Sequence, residues 1–261
     1  MNRLERKFQE LKKGGKKVLI PYLTAGYPNL SATKRLVVEL EKAGADIMEL
    51  GVPFSDPVAD GITIQKTSAA ALKKGVNLAQ IFATVSQIRR ESQLPLILMG
   101  YYNPILSYGV ERFVNDCALC GVDGIIVADL PPEEAREIIP FTRKKKLGLI
   151  FLLAPNSTPE RIRLISQKSH PFLYYVSVTG VTGARKGLPA DLEKKIVEIR
   201  HFTHKPICLG FGISSPAQAK TAFSLVDGII VGSALLDCLE KAGWNYLNAA
   251  RKFVSSLAAV K

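Results

Sequence analysis

Residues 46–50 read DIMEL, a run that is apolar but for Asp46 and Glu49 and is closed by Gly51. A short apolar segment bounded by glycine reads as a buried strand. Seven comparable runs occur along the chain: KKVLIPYL around Val18, LILMG from Leu96, GIIVAD from Gly124, GLIFLL from Gly148, LYYVSV from Leu173, PICLG from Pro206 and GIIV from Gly228. The stretches Ser31–Ala43, Val110–Cys120, Pro132–Lys144, Pro159–Gln167, Asp191–Arg200 and Ser215–Phe223 lie between runs and suit crossover helices. Between the second and third runs, TIQKTSAAALKK and NLAQIFATVSQIRR read as two helices. Strands and helices alternating in this way predict an α/β protein, a (β/α)8 TIM barrel, with a doubly wound open sheet as the competing arrangement. No linker, repeat or shift in composition divides the 261 residues, so residues 1–261 are expected to form one barrel domain.

Ahead of the first run, MNRLERKFQELKKGGKK spaces Leu4, Phe8 and Leu11 along one helical face, which predicts an extra N-terminal helix packed on the domain. That segment lacks the apolar centre of a signal peptide, and no apolar run approaches the roughly 18 residues of a membrane span. A cytoplasmic protein with no membrane partner is expected. The hydrophobic content of 47% is ample for a large core.

Lys and Arg outnumber Asp and Glu by 35 to 23, a net charge of +12. The basic runs KKGGKK and RKKK sit at element ends without interleaved aromatics, which fits a solvated basic surface better than a nucleic-acid face. Cys117 and Cys120 form a single C-x-x-C without a second pair, while Cys208 and Cys238 are isolated. With only His170, His201 and His204 to add, neither a zinc site nor any other metal centre is expected, and the cysteines read as reduced thiols.

Strand alternation in ADIMELG puts Ile47, Glu49 and Gly51 on one face and Met48 and Leu50 on the other. In a barrel, Glu49 then faces the interior near the carboxyl end of its strand, where active sites of this architecture lie. A carboxyl group there is costly to bury unless a hydrogen bond, a raised pKa or a ligand compensates. Asp56 and Asp60 follow in the loop above it. Late in the chain LGFGISS (209–215) and VGSAL (231–235) each place glycine where a strand yields to a helix, a geometry that exposes backbone N–H groups to a phosphate. Phe211 between two glycines suits the covering of a flat ligand. The loop GVTGARKGLP, Gly180–Pro189, has the composition of a mobile lid.

Taken in order from Ile20 to Leu235, IPYLTAGYP, ELGVPFSDPVADG, MGYYNP, SVTGVTGAR, LGFGISSP and VGSAL resemble the tryptophan synthase alpha chain family. The resemblance implies a (β/α)8 fold and reversible retro-aldol cleavage of indole-3-glycerol phosphate to indole and glyceraldehyde 3-phosphate. It implies a beta-chain partner in an α2β2 complex that receives the indole. Pyridoxal phosphate belongs to that partner, with no cofactor in this chain. Carried onto matching positions, it makes Glu49 the acid–base group and Asp60 the carboxylate on the indole N–H. The ring is then placed among Tyr22, Met99, Tyr101, Leu152, Tyr174 and Phe211. The phosphate falls on the backbone of Gly183, Gly212, Gly232 and Ser233, and Thr182 orients Asp60. Pro53, Asp56, Asn103 and Pro131 are implied to face the beta chain. Because a strand-borne Glu49 should be drier than a loop-borne Asp60, Glu49 is expected to have the higher pKa.

Overall fold

The computed structural model describes residues 1–177, 188–210 and 212–261. Its strands are β1 (Val18–Thr24), β2 (Met48–Gly51), β3 (Leu96–Gly100), β4 (Gly124–Val127), β5 (Gly148–Ile150), β6 (Leu152–Leu153), β7 (Leu173–Val176), β8 (Ile207–Gly210) and β9 (Gly228–Val231). Hydrogen bonding orders them β5-β4-β3-β2-β1-β9-β8-β7-β6, and every pair is parallel. The two ends of that order, β5 and β6, are joined in the chain through Phe151 alone. The sheet therefore closes on itself as a TIM barrel. The single run GLIFLL becomes two strands because the Phe151 N–H is donated to the Ser169 hydroxyl, 3.0 Å away, and the pairing passes from β4 to β7 across that residue.

Around the ring stand α1 (Arg3–Lys13), α2 (Leu30–Lys42), α3 (Ile62–Lys73), α4 (Leu78–Ile88), α5 (Tyr102–Tyr108), α6 (Val110–Cys120), α7 (Ile138–Lys144), α8 (Pro159–Lys168), α9 (Leu192–Arg200), α10 (Pro216–Leu225), α11 (Ser233–Ala242) and α12 (Tyr246–Ala258). Their starts follow local chemistry. Asn29, Thr158 and Ser215 each accept an N–H of the first turn, and Asn77 forms a reciprocal capping box with Gln80. Thr158 and Ser215 are each followed by proline at the first helical position, where its fixed φ fits and its missing N–H is not needed. The helix expected over Pro132–Lys144 is shorter, because residues 132–137 form turns. Glu133, Glu134, Arg136 and Glu137 are solvated there, and only the small Pro132 and Ala135 are buried, so a face of large apolar side chains begins at Ile138. Among the described residues no helix is long and apolar enough to cross a membrane.

Alternation along the strands divides the apolar residues in two. Met48 and Leu50 join the outer cluster between sheet and helices, whereas Ile20, Ile47, Ile97, Ile126, Ile150 and Ile230 fill the barrel. The lower end of that interior is stoppered by α1. Leu4, Phe8 and Leu11 are buried in the inner cluster, and the Phe8 ring lies 5.1 Å from that of Phe172. Each such side chain contributes about 1.5–3 kcal/mol by leaving water.

The floor is stitched by three aspartates in one repeated pattern. Asp46, just before β2, accepts the N–H of Leu19 in β1. Asp123, before β4, accepts that of Leu96 in β3, and Asp227, before β9, accepts that of Ile207 in β8. Each also holds a cation: Lys261 on Asp46, Arg89 and Arg3 on Asp123, Arg200 on Asp227. A buried carboxylate is tolerated when hydrogen-bonded and paired. These stitches leave the opposite, carboxyl end of the barrel free for other work.

Candidate active site

Glu49 projects into the barrel from the middle of β2, in register between Tyr22 of β1 and Ile97 of β3. It is 0% exposed, and neither carboxyl oxygen has a hydrogen-bond partner among the described residues. Burial raises its pKa to about 8, with the nearby charge of Asp60 adding to the effect. Neutral Glu49 is thus the resting form at pH 7.

Asp60 sits above it in the loop between β2 and α3. The loop is pinned on both sides, with the Asp60 N–H on the Pro57 carbonyl and the Gln65 side-chain amide on the Asp60 carbonyl. Burial pushes Asp60 up to about 6, a rise opposed by a hydrogen bond that the Tyr101 hydroxyl donates to Oδ2. Two carboxyl groups with unlike surroundings so hold different protonation states at neutral pH, Glu49 protonated and Asp60 ionised.

Both open onto one cavity of about 180 Å³ at the barrel mouth, lined also by Tyr22, Met99, Leu152 and Tyr174. The cavity runs on to Gly212, Gly232 and Ser233, so these residues share a single space with the two acids. Gly212 has φ +71°, a left-handed conformation that suits glycine. At the other side α11 begins at Gly232 with no side-chain cap, and Ser233 and Ala234 in its first turn line the cavity. An uncapped helix amino terminus presents unpaired N–H groups and a positive dipole end to whatever occupies the space.

Tyr101 stands apart from the rest. It is not among the described residues that line this cavity, and its hydroxyl is on Asp60. Thr182, Gly183 and Phe211 lie outside the described residues, as does most of the Gly180–Pro189 segment. At the rim, Asp56 and Asn103 are exposed, Pro131 is partly exposed and Pro53 is buried. The structure adds Ile64, Val176, Gly210, Ser214 and Ile230 to the lining. Ile64 was legible as the residue one helical turn after Asp60, and Val176, Gly210 and Ile230 follow from alternation on β7, β8 and β9. Ser214 lies within LGFGISS, the turn already read as exposing N–H groups to a phosphate, although it was not itself singled out.

Glycines at strand ends make room for the aromatic wall. A Cβ on Gly51 would fall 1.9 Å from the Tyr22 hydroxyl oxygen, and one on Gly210 would fall 2.2 Å from a Tyr174 ring carbon. Each tyrosine occupies the volume that its neighbouring strand vacates.

A closed parallel barrel with a dry acid, an ionised acid and an open helix terminus around one mouth cavity defines an acid–base enzyme of the (β/α)8 class, suited to an apolar ring on a phosphorylated tail. The comparisons are specific. The family model for the tryptophan synthase alpha chain matches residues 8–260. The tryptophan synthase alpha chain of Geotalea daltonii is 49% identical over 261 residues, covering 100% of this chain and 98% of that one. The Caldanaerobacter subterraneus alpha chain is 46% identical over 263 residues, with 100% of both covered. Among solved structures, subunit alpha from Legionella pneumophila superposes with TM-score 0.92 at 35% identity over 100% of this chain and 98% of that one. A Mycobacterium tuberculosis tryptophan synthase chain gives 0.91 at 37% identity, covering 99% and 97%. The chain belongs to the tryptophan synthase alpha chain family. Its reaction is that of the family's carbon–carbon lyase, the retro-aldol cleavage of indole-3-glycerol phosphate to indole and glyceraldehyde 3-phosphate in tryptophan biosynthesis.

Proposed function

We propose that Glu49 and Asp60 divide the proton work of this cleavage between them. Glu49, neutral at pH 7, gives its proton to C3 of the indole ring. Asp60, ionised, accepts the ring N–H as positive charge develops on the bicycle. The Glu49 carboxylate then takes the proton of the glycerol hydroxyl next to the ring. The carbon–carbon bond breaks, its electron pair neutralises the ring, and the aldehyde forms while Glu49 ends protonated as it began. The observation that carries this reading is a fully buried carboxyl without a partner among the described residues, opening on the same cavity as a second acid with a lower pKa. A group left unpaired in the free protein is stabilised when substrate supplies the missing hydrogen bonds.

The ring then lies among Tyr22, Met99, Leu152 and Tyr174, and the phosphate meets the backbone of Gly212, Gly232 and Ser233 at the start of α11, where no lysine or arginine is required. Thr182, Gly183 and Phe211 complete this assignment by resemblance. No cofactor in this chain takes part, because the proton transfers need only the two carboxyl groups.

Indole passes to a beta chain docked over the barrel mouth in an α2β2 complex, with pyridoxal phosphate on the partner. Large apolar side chains stand exposed around that mouth: Val58 at 82%, Ile62 at 76%, and Leu106 on α5. Such a patch marks an interaction surface. It adjoins Asp56 and Asn103, which with Pro131 make the polar part of the contact, while buried Pro53 shapes the loop beneath. The work is that of a cytoplasmic biosynthetic enzyme built as one barrel domain. Incubation of the purified chain with indole-3-glycerol phosphate, with and without a beta chain, tests the whole reading through release of indole. Absence of indole in both would sink it.

A further inference from the structure

Tyr101 is 4% exposed and stands between the end of β3 and the start of α5. Its hydroxyl makes two hydrogen bonds, each 3.0 Å long: the Ala59 N–H donates to it, and it reaches Asp60 Oδ2. A phenol carries one proton. The Ala59 N–H can only donate, so that proton is directed at Asp60, and the carboxylate must be the acceptor. The Phe54 ring packs on the Tyr101 ring at 5.3 Å with a tilt of 34°. Residues 54–60 are therefore folded over one buried phenol, which touches the loop at its beginning and at both residues of its end. Tyr101 is absent from the cavity wall, where Tyr22 and Tyr174 present their side chains instead.

We propose that Tyr101 is a positioning residue for Asp60: its hydroxyl engages Oδ2 and fixes the carboxylate so that Oδ1 is the oxygen offered to the substrate ring N–H. The proposal rests on the reading of Asp60 given above. It differs from a wall role because the ring of Tyr101 is not what faces the substrate. A donor aimed at Oδ2 also favours the ionised form of Asp60, the form in which it accepts an N–H. Removal of the donor leaves Asp60 as buried as before and harder to ionise.

The test is Tyr101→Phe, which keeps the ring on Phe54 and deletes the hydroxyl, assayed in the complex with the beta chain. Loss of a buried orienting hydrogen bond predicts a fall in kcat of roughly 10- to 100-fold with KM little changed. The acid limb of the kcat/KM profile moves to higher pH and the alkaline limb stays. Incorporation of 3-fluorotyrosine at position 101, a stronger donor of the same shape, moves the acid limb the other way. This second replacement preserves the fold should the phenylalanine variant lose it. An acid limb that ignores both replacements, or a loss carried by KM alone, overturns the proposal. Asp60→Asn separates the two levels. If that variant keeps full activity, the reading of Asp60 is wrong; if it is inactive while Tyr101→Phe leaves kcat and the acid limb in place, only the role of Tyr101 is wrong. In the Asp60→Asn background, Tyr101→Phe should cost nothing further in kcat.

Discussion

The Tyr22 hydroxyl occupies the space in which a side chain on Gly51 would start, 1.9 Å from the ideal Cβ position. Tyr22 is in register with Glu49 and Gly51 lies two residues further along the same face of β2, so the aromatic wall of the cavity is bought with a glycine on the next strand. Gly51→Ala must drive Tyr22 from its seat. It is expected to cost about 1–3 kcal/mol of stability and to lower activity at least tenfold. Tyr22→Leu in that background relieves the overlap and recovers most of the stability. Urea unfolding of the four proteins of the cycle measures the coupling, expected at about 0.5–3 kcal/mol, and additive single effects would refute the steric pairing.

Glu49→Gln removes the exchangeable proton while keeping shape. Indole release should fall by at least a thousandfold, three decades that correspond to about 4 kcal/mol of barrier, and beta-chain affinity should stay within a few-fold. An assay of cleavage beside a binding titration decides it, and retention of activity in the variant would remove Glu49 from the mechanism.

The same substitution has a signature in stability. Folded Glu49 keeps its proton to about pH 8, whereas an unfolded glutamate loses it near 4.5. Between those values the folded state binds more protons than the unfolded one, so this group's contribution is full below pH 4.5 and declines as pH rises through 8. The slope is up to about 1.4 kcal/mol per pH unit. In Glu49→Gln that decline should disappear. Unfolding midpoints at pH 5.5 and 7.5 are the measurement, and parallel pH curves for the two proteins would count against a buried neutral carboxyl.

Activity should follow a bell. Asp60 must be ionised and Glu49 protonated, so kcat/KM rises through about pH 6 and falls beyond about pH 8. Asp60→Asn loses most activity, and what remains should lack the acid limb. A wild-type profile flat from pH 5 to 9 contradicts the division of roles.

Leu4 in α1 lies against the floor glycines: a Cβ on Gly124 would be 3.0 Å from its terminal methyl, and one on Gly148 3.3 Å. Leu4→Ala opens a hole in a filled barrel and should cost about 2–5 kcal/mol. Since Leu4 is at the end away from Glu49, kcat should be unchanged at temperatures where the variant is folded. Thermal melting and steady-state kinetics on one preparation check both halves.

Much of this was readable from the chain because short apolar runs with period-two alternation mark the strands, and glycine closes β2, β3, β8 and β9. DIMEL placed Glu49 inward and Met48 and Leu50 outward, where the structure has them. The spacing of Leu4, Phe8 and Leu11 gave α1. What stayed hidden depends on contacts across the ring. The break at Phe151 needs the hydroxyl of Ser169, eighteen residues on. The turns over 132–137 replace an expected helix where Pro132 and Ala135 are the only buried residues of the segment and four charged side chains face solvent. The resemblance set Tyr101 among the residues around the ring, and no local pattern reveals that its hydroxyl meets Asp60, forty-one residues earlier.

The three floor aspartates each reach back only 20 or 27 residues, from the approach to one strand to the start of the one before it. Each stitch joins neighbouring strands of the ring, although Lys261 and Arg3 reach Asp46 and Asp123 from the ends of the chain. The mouth is different in kind, for its groups come from β1, β2, β3, β6, β7, β8 and β9 and meet only after the seam at Phe151 has shut. An open sheet would therefore have no chemistry, because here catalysis is a property of the completed circle.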